Sequence, residues 1–553
     1  MQFKQTGLLL FFLSLSLFSF SQTTYLPQGG REQQLIERLE IKLGTDSVLN
    51  FSKTRPLSRR HVIPQLDNID TSTLTAVDRY NLHITQMGNL EWTQKERDAF
   101  LSRKPFLKHF YKTPATLFEV DTKDFFLAVN PVFQFYLAKE KGYDENIFLN
   151  TRGVSLRGRI ANKIGFAAYI TENQERDPRY VQAWVAERDA VPGQGFYKDF
   201  KGTGYDYFDA RGYITFNAAK YIDIVFGYDR NFIGNGHRSL FLSDFSNSAL
   251  FLKLNTRIWK FNYQNIFMEL QSPARGTPAD VLIPKKYAAM HHLDLAVTRW
   301  LNIGLFEGVV FGRPDHFEFG YLNPVIFYRS IEQQNGSFDN AVAGIDAKAN
   351  IARRFQVYGQ LLLDEFKLSE IKAGKGWWAN KIGYQIGIKS VDFPVRDLDL
   401  QLEFNRVRPF TYSHRDSTAN YTHYNQPLAH PLGANFNEII GILRYQPAPR
   451  WNINLHLMHY MQGRDTSALS YGSNIFLPNV PPYRGEEYGY SIGSGERTNV
   501  AYGSLFVSYE FRPNLYLEAG ATGRREKNST ASSTTSYFVT GIRWNMNRRV
   551  FDF

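Results

Sequence analysis

The chain has 553 residues and no cysteine, which excludes a disulfide scaffold, a Cys-ligated metal and a thiol nucleophile. Its 15% aromatic content argues against disorder, and its mean hydropathy of −0.36 excludes a multi-helix membrane protein, although not a barrel whose strands are half polar. The formal net charge of +11 is scattered along the chain, so we expect a polar surface facing water or a lumen, and no nucleic-acid partner.

The N-terminal residues predict a signal peptide. Lys4 is followed by an uncharged, largely apolar run over residues 8–20, which is too short for a spanning helix of about 20 residues. Ser19 and Ser21 fit the small residues that precede a cleavage site, so we expect residues 1–21 to be removed. The alternative is a buried N-terminal helix. A signal peptide predicts export of the chain.

Residues 22–112 predict an N-terminal helical segment. Apolar residues recur at helical spacing over 35–43, just before Gly44, a residue suited to ending a helix. A second helix is predicted over 72–87. A third is predicted from Thr93, which begins a capping-box pattern. Each helix is short and amphipathic, so each needs another surface to pack on.

From about residue 124 the pattern changes to a period of two. Residues 398–405 alternate strictly between apolar and polar side chains, and residues 451–457 alternate in the same way. Neighbouring side chains of a strand point to opposite faces, so each segment has one apolar and one polar face. We find about 18 such strands, some joined by short turns and others by long polar connections, which is typical of outer-membrane barrels.

These features predict an all-β transmembrane β-barrel of about 18 antiparallel strands over residues 113–553, in the outer membrane of a Gram-negative bacterium. A soluble β-sandwich or propeller would also alternate and is the alternative. Long polar loops and aromatic strand ends favour the membrane barrel, because aromatic girdles lie at bilayer interfaces. The chain closes with an aromatic-rich strand over 537–544, then Phe551 and Phe553, which we interpret as a C-terminal insertion signal.

Four separated motifs occur in the predicted barrel. They are GNGHRSLFLSD at 234–244, GYLNPVIFYR at 320–329, LLDEF at 362–366 before GWWANK at 376–381, and YTHYNQPLAHPLGAN at 421–435. Together these motifs resemble the Wzi-type capsule-assembly barrels of the outer membrane. They look most like the branch found in gliding Bacteroidota, where RemB-type motility proteins belong.

The resemblance covers most of the chain from about residue 124. It implies a barrel of about 18 strands with a helical bundle, here residues 22–112, closing the periplasmic end. It also implies a cell-surface role in which polysaccharide is bound or anchored without covalent chemistry. For the gliding branch it implies an adhesin or a motility component.

Two residue pairs in these motifs are candidate glycan ligands. Arg238 and Asp244 are expected either to form an ion pair in the lumen or to contact a glycan. Trp377 and Trp378 are expected either to pack in an interfacial girdle or loop, or to stack against a sugar ring.

The segment from 412 to 430 is rich in planar hydrogen-bonding groups and supplies the remaining glycan candidates. They are His414, Tyr421, His423, Tyr424, Asn425, Gln426 and His430. Hydrogen bonding within the loop is the alternative use of these side chains. Spacings of nine and seven residues do not force the three histidines to converge, so we expect no metal and no cofactor. His456 faces the lumen by parity and is expected to be polar lining.

We expect no enzyme, because the sequence contains neither a P-loop nor an HExxH motif. Three functions remain. The first is a barrel that binds surface or capsular polysaccharide; the second is an accessory subunit of a larger outer-membrane machine for gliding, secretion or barrel assembly; the third is a diffusion channel. The expected partners are outer-membrane lipid, surface polysaccharide or lipopolysaccharide, and other outer-membrane proteins.

Overall fold

The structure is a computed structural model that describes residues 23–273, 282–313, 316–325 and 327–553. The predicted signal peptide at 1–21 lies outside the described residues. Within the described ranges, no helix has both the length and the apolar character needed to cross a membrane.

Eighteen antiparallel strands pair in chain order and close into a barrel. They are Phe125–Glu140 (β1), Ile147–Ile160 (β2), Ile164–Arg176 (β3), Gly204–Ala219 (β4), Ile222–Asp229 (β5), Ala249–Ile258 (β6), Phe261–Gln271 (β7), Lys285–Ala296 (β8), Leu301–Phe311 (β9), Asn340–Ile351 (β10), Phe355–Glu365 (β11), Lys381–Val391 (β12), Leu398–Val407 (β13), Phe436–Ala448 (β14), Trp451–Arg464 (β15), Glu496–Arg512 (β16), Leu515–Lys527 (β17) and Ser532–Trp544 (β18). The seam joins β18 to β1, with Tyr537 opposite Glu140 and Trp544 opposite Phe133. The predicted barrel of about 18 strands is confirmed.

The two ends of the barrel differ in the length of their connections. At one end, here the turn end, strands are joined by short turns such as 220–221, 259–260 and 513–514. At the other, the loop end, long loops such as 177–203 and 408–435 connect them. In bacterial outer-membrane barrels the short turns face the periplasm and the long loops face outward.

The barrel wall has its apolar face outside and its polar face inside. On β13, Leu402 is 57% exposed, whereas its neighbour Glu403 is only 2% exposed. The same arrangement, with the apolar residue outside and the polar residue inside, occurs on β14, where Ile439 faces outward and Glu438 is buried. A soluble sandwich buries its apolar faces, so that alternative is wrong. An apolar outer face around a polar interior is the arrangement of an outer-membrane β-barrel.

Six helices lie in the described residues. They are Arg31–Leu43 (α1), Arg59–Asp67 (α2), Ala76–Met87 (α3), Arg179–Arg188 (α4), Tyr328–Asn335 (α5) and Leu368–Ala373 (α6). The first, α1, ends at Gly44 as predicted, where a φ of 69° allows the glycine N–H to donate to the Glu40 carbonyl. The third, α3, begins with a capping box between Thr75 and Asp78.

The predicted third helix, from Thr93, is wrong. The capping-box residues do not begin a helix, and a short 3₁₀ turn follows at Arg97–Phe100. The side chain of Asp67 accepts hydrogen bonds from the Thr93 hydroxyl at 2.8 Å and from the Gln94 amide at 2.6 Å. A capping box would use the Glu96 amide as the donor to the Thr93 hydroxyl. Here that hydroxyl accepts from the Lys95 amide at 3.2 Å instead. Helix α2, which has Pro64 in its interior, was not predicted from the sequence.

Helices α1, α2 and α3, residues 31–87, form a helical bundle at the turn end. Their apolar residues share one core, and charged residues attach the bundle to the turn between β12 and β13. Arg38 contacts Asp78 at 3.0 Å and Asp392 at 2.9 Å, and it also pairs with Asp399. Lys42 bridges Asp78 and Asp392 at 2.5 and 2.7 Å. The predicted helical region therefore lies across the short-turn end of the barrel.

Residues 545–553, here called the tail, do not continue the last strand. Pairing of β18 ends at Trp544, because the neighbouring part of β1, residues 126–129, pairs with the short strand Thr116–Asp121 instead. The chain then turns into the lumen and runs toward the loop end. Phe551 and Phe553 therefore lie outside the last strand, and their role as a C-terminal insertion signal stays a prediction.

The tail makes contacts along the whole height of the lumen. Near the turn end, Arg548 pairs with Glu518 at 2.5 Å. At the loop end, the Phe553 ring lies 5.2 Å from that of Trp184 in α4. The Tyr180 hydroxyl of the same helix donates to the Phe551 carbonyl at 2.7 Å. Both charge pairing and ring packing thus hold the tail inside the barrel.

Replacing Arg38 with Ala is expected to loosen the helical bundle. Removal of the guanidinium leaves the buried carboxylate of Asp78 with one cation, Lys42, instead of two, a loss of about 3 kcal/mol or more. The expected result is a lower urea midpoint and faster proteolysis within residues 31–87, while the barrel persists. Arg152→Ala is the control, since Arg152 pairs with Glu172 on the exposed surface and should change neither reading. Equal protease resistance in both variants would contradict this role of Arg38.

Candidate functional site

The loop at 408–435 carries most of the predicted binding residues and folds into the loop end of the barrel. The hydroxyl of Tyr412 donates to the Leu240 carbonyl at 2.8 Å, and that of Tyr421 donates to the Phe241 carbonyl at 2.7 Å. The two tyrosine rings are stacked 5.5 Å apart. These contacts fix the loop to the segment after β5, and they occupy the Tyr421 hydroxyl.

His423 is buried with both ring nitrogens in hydrogen bonds. Its Nδ1 accepts from the Gln271 amide at 3.0 Å, and its Nε2 lies 3.0 Å from the Ser248 carbonyl. The first contact requires an unprotonated Nδ1, so Nε2 is the donor. Burial lowers the pKa of His423 to about 4, so the imidazole is neutral at pH 7.

His430 and His414 have partners of their own. His430 accepts from the Leu432 amide through Nδ1 and donates through Nε2 to Glu438, 2.7 Å away. His414 accepts from the Asp416 amide at 3.2 Å. Burial lowers the pKa of both histidines, against the raising effect of nearby carboxylates. The three histidines of this loop therefore use separate sets of partners.

Gln426 ties the loop to the connection between β3 and β4. Its Oε1 accepts from the Gly193 amide at 2.7 Å, and its Nε2 donates to the Gln194 carbonyl. Tyr424 and Asn425 form the two-residue turn before it, with φ of 50° and 58°. Both turn residues are half-buried, so they are the more accessible part of this segment.

Arg238 does not pair with Asp244, and that expected lumen ion pair is wrong. The guanidinium lies 3.1 Å from Asp552 of the tail and 3.4 Å from Glu438 of β14. Burial opposes its charge, but these carboxylates raise the pKa of Arg238 above its usual value. Asp244 is half-buried and lines the lumen.

Trp377 and Trp378 lie at the loop end in what we call the aromatic patch, consisting of Trp377, Trp378, Phe410, Arg484 and Tyr490. The Arg484 guanidinium lies 4.4 Å from the Trp378 ring centre, and Phe410 meets the same ring edge-on. The Trp378 amide donates to the backbone of a neighbouring loop at Glu487. Phe410 and Tyr490 are buried beneath, whereas both indoles are half-buried. The patch therefore presents supported aromatic rings beside a cation.

The lumen encloses a cavity of about 820 Å³. Its lining comes from the helical bundle, the tail and the inward faces of the strands, and it includes Arg55, Arg59, Asp244, Asp399 and Arg444. The helical bundle lies across one end of the barrel, and α4 packs into the other. The cavity is polar and charged, so its chemistry suits hydrophilic groups.

Ser491 is a residue that the sequence analysis passed over. Residues 489–493 match the G-x-S-x-G pattern of hydrolase nucleophiles. In the structure Ser491 is exposed in the loop before β16, and its hydroxyl lies 3.3 Å from that of Ser494. That loop enters a strand rather than a helix, so the strained strand-to-helix turn of a nucleophile elbow is not formed at this serine.

Sequence reasoning also missed the tail as part of the interior. Arg549 pairs with Glu175 of β3 and contacts the Tyr207 hydroxyl of β4, and Asp552 pairs with Arg238. The sequence does indicate that the strand ends here. The alternation of apolar and polar residues stops after Trp544, and two consecutive arginines, Arg548 and Arg549, follow.

The family model described as capsule assembly protein Wzi matches residues 166–537. The chain belongs to this family. The resemblance in its motifs is thereby confirmed at the level of the family, while membership of the gliding branch stays a prediction.

The fold is similar to that of a solved structure. The structure of Wzi from Escherichia coli, described as an outer-membrane protein involved in group 1 capsule assembly and a carbohydrate-binding β-barrel, has 12% identity and a TM-score of 0.57, over 95% of this chain and 100% of that one. OprD from Pseudomonas aeruginosa has 12% identity and a TM-score of 0.42, over 76% of this chain and 94% of that one. No curated protein matches the chain.

Acidification is expected to release the 408–435 loop. The pKa of His423 is about 4 in the folded protein, below the value of about 6.5 for an exposed histidine. Because the unfolded state then binds protons more readily, loop stability is present above pH 6.5 and falls as the pH drops toward 4. Hydrogen exchange of this loop, followed between pH 7.5 and 4, is the measurement. His423→Gln should weaken the pH dependence of exchange. An unchanged pH profile in that variant would show that His423 does not cause the pH dependence.

Proposed function

We propose that this protein binds surface or capsular polysaccharide and holds it at the outer membrane without catalysing a reaction. The observation that carries the proposal is the aromatic patch, with the Trp378 indole supported from below and Arg484 against it. Sugar rings present apolar C–H faces that stack on aromatic rings. Arg484 is buried and pairs with Glu487 at 3.0 Å, so its role is to support the Trp378 ring.

Family membership supports the same proposal. The family is described by its role in capsule assembly, and Wzi of Escherichia coli is described as carbohydrate-binding. The half-buried turn residues Tyr424 and Asn425, also at the loop end, offer a second set of polar contacts. The buried candidates, namely Tyr421, His423, Gln426 and His430, would hold the loops in shape rather than touch the glycan.

The arrangement of the chain in the membrane follows from this proposal. Residues 1–21 are a signal peptide that is cleaved on export, residues 22–112 form the periplasmic segment, and residues 113–553 form the barrel. The loop end then faces the outside, where polysaccharide and lipopolysaccharide are present. A contribution to gliding or adhesion would use the same outward surface, and association with other outer-membrane proteins stays a prediction.

A diffusion channel is disfavoured by the contents of the lumen. The helical bundle lies across the turn end, and the tail crosses the interior from Arg548 to Phe553. Ions would need a continuous water-filled path through both.

Replacing Trp377 or Trp378 with Ala is expected to weaken polysaccharide binding about two- to twelvefold in each case. The loss corresponds to about 0.5–1.5 kcal/mol for an aromatic contact. Binding of isolated capsular polysaccharide to the protein in nanodiscs is the first measurement, and retention of polysaccharide by cells that carry each variant as the only copy is the second.

Trp259→Ala is the matched control, because Trp259 is exposed in a short turn at the opposite end of the barrel. Equal binding by all the variants and the wild-type protein would reject the aromatic patch as the site. Wild-type protein that binds no polysaccharide from its own cells would reject the proposed function itself.

A further inference from the structure

We propose that the lumen contains a binding site for one divalent transition-metal ion, formed by His237, His456 and Asp552. One possible ligand atom from each side chain lies within 4.8 Å of the other two. His237 Nε2 lies 2.7 Å from Asp552 Oδ2, and His456 Nδ1 lies 3.7 Å from the same oxygen. The loop after β5, strand β15 and the tail each contribute one residue, so three distant parts of the chain converge here.

The ligand types fit a transition metal better than calcium or magnesium. Two imidazoles and one carboxylate are a common ligand set for Zn²⁺ and its neighbours, whereas Ca²⁺ and Mg²⁺ prefer oxygen ligands throughout. Ligand atoms around a tetrahedral ion with bonds of about 2.0 Å lie about 3.3 Å apart. The observed separations of 2.7 and 3.7 Å fall on either side of that value. Small side-chain rotations would therefore create the geometry.

The hydrogen bonding of His456 independently points to a ligand. Its Nε2 is buried and, within the described part of the chain, has no hydrogen-bond partner. Its Nδ1 is 3.7 Å from Asp552, which is too long for a hydrogen bond. Buried polar groups are nearly always satisfied, so this ring lacks the hydrogen bonds that usually fix a buried histidine. A metal ion bound to Nδ1 would fix the ring, while Nε2 stays without a partner in the described part of the chain.

The surroundings would orient the ligands and balance the charge. Arg238 holds the second oxygen of Asp552 at 3.1 Å, and Glu403 accepts from the His237 amide at 2.7 Å. Such outer contacts fix the ligands of metal sites. Three buried carboxylates, those of Glu403, Glu438 and Asp552, surround one guanidinium in this cluster. The cluster therefore carries excess negative charge that a divalent cation would neutralise.

The cavity gives the site an open side. His237, His456 and Asp552 all line it, and the His237 side chain is 27% exposed. A water molecule from the cavity would complete four-coordination. The ion would then clamp the tail to the wall of the barrel, which is a structural role separate from polysaccharide binding at the loop end.

The test uses the full-length protein with an affinity tag that contains no histidine. Titration with Co²⁺ in detergent should give one bound ion per chain and the visible absorption of four-coordinate cobalt, and Zn²⁺ should displace it. His456→Gln and Asp552→Asn should each weaken binding at least tenfold. His459→Gln is the matched control, since it lies on the same strand facing outward and should bind as the wild type does.

Wild-type protein that shows no saturable one-to-one Co²⁺ or Zn²⁺ binding would overturn the proposal, whatever the variants do. Binding that persists unchanged in folded His456→Gln would also overturn it, because the ion would then lie elsewhere. Heat-modifiability on gels verifies that each variant forms the barrel. If both variants fail to fold, the wild-type protein is treated with diethylpyrocarbonate with and without Zn²⁺. Slower modification of His237 with Zn²⁺ would support the site, and equal modification would overturn it.

Discussion

Pairing of the charges that face the lumen is the constraint on which the rest of this structure depends. Closing the strands with their apolar faces toward lipid forces the polar faces inward, where water is limited. Lys53 shows the result, since it is fully buried 3.1 Å from Asp294 and also pairs with Asp346. An unpaired charge at such a position would cost several kcal/mol. The helical bundle, which carries Lys53 between α1 and α2, and the tail both enter the barrel with charges that match its wall.

The fold could be predicted from the sequence wherever its cause is local. The strict alternation over 398–405 predicted both a strand and its two faces, and the structure places Leu402 outside and Glu403 inside. Prediction failed where a distant side chain intervenes. Asp67 accepts hydrogen bonds from the Thr93 hydroxyl and the Gln94 amide. The start of β1 pairs with the strand at 116–121 rather than with a longer β18. No local sequence pattern indicates these contacts between distant residues.

In the candidate site, the residue types that make specific contacts could be predicted from the sequence, but their partners could not. Sequence composition singled out Tyr421 and Arg238 as groups that make specific contacts, and both do. Their partners lie far along the chain, at Phe241 for the tyrosine and Asp552 for the arginine, the latter 314 residues away. Spacing cannot reveal such pairs, which is why Asp244 was the expected partner. Trp377 and Trp378 are different, because their packing comes largely from neighbouring loops at one rim.

The path of the tail links it to the helical bundle. It enters the lumen from the turn end, and Asn547 there contacts the Gln28 carbonyl just ahead of α1. The helical bundle therefore covers the entrance through which residues 548–553 pass. The two ends of the chain therefore meet at one end of the barrel, and the position of each depends on that of the other.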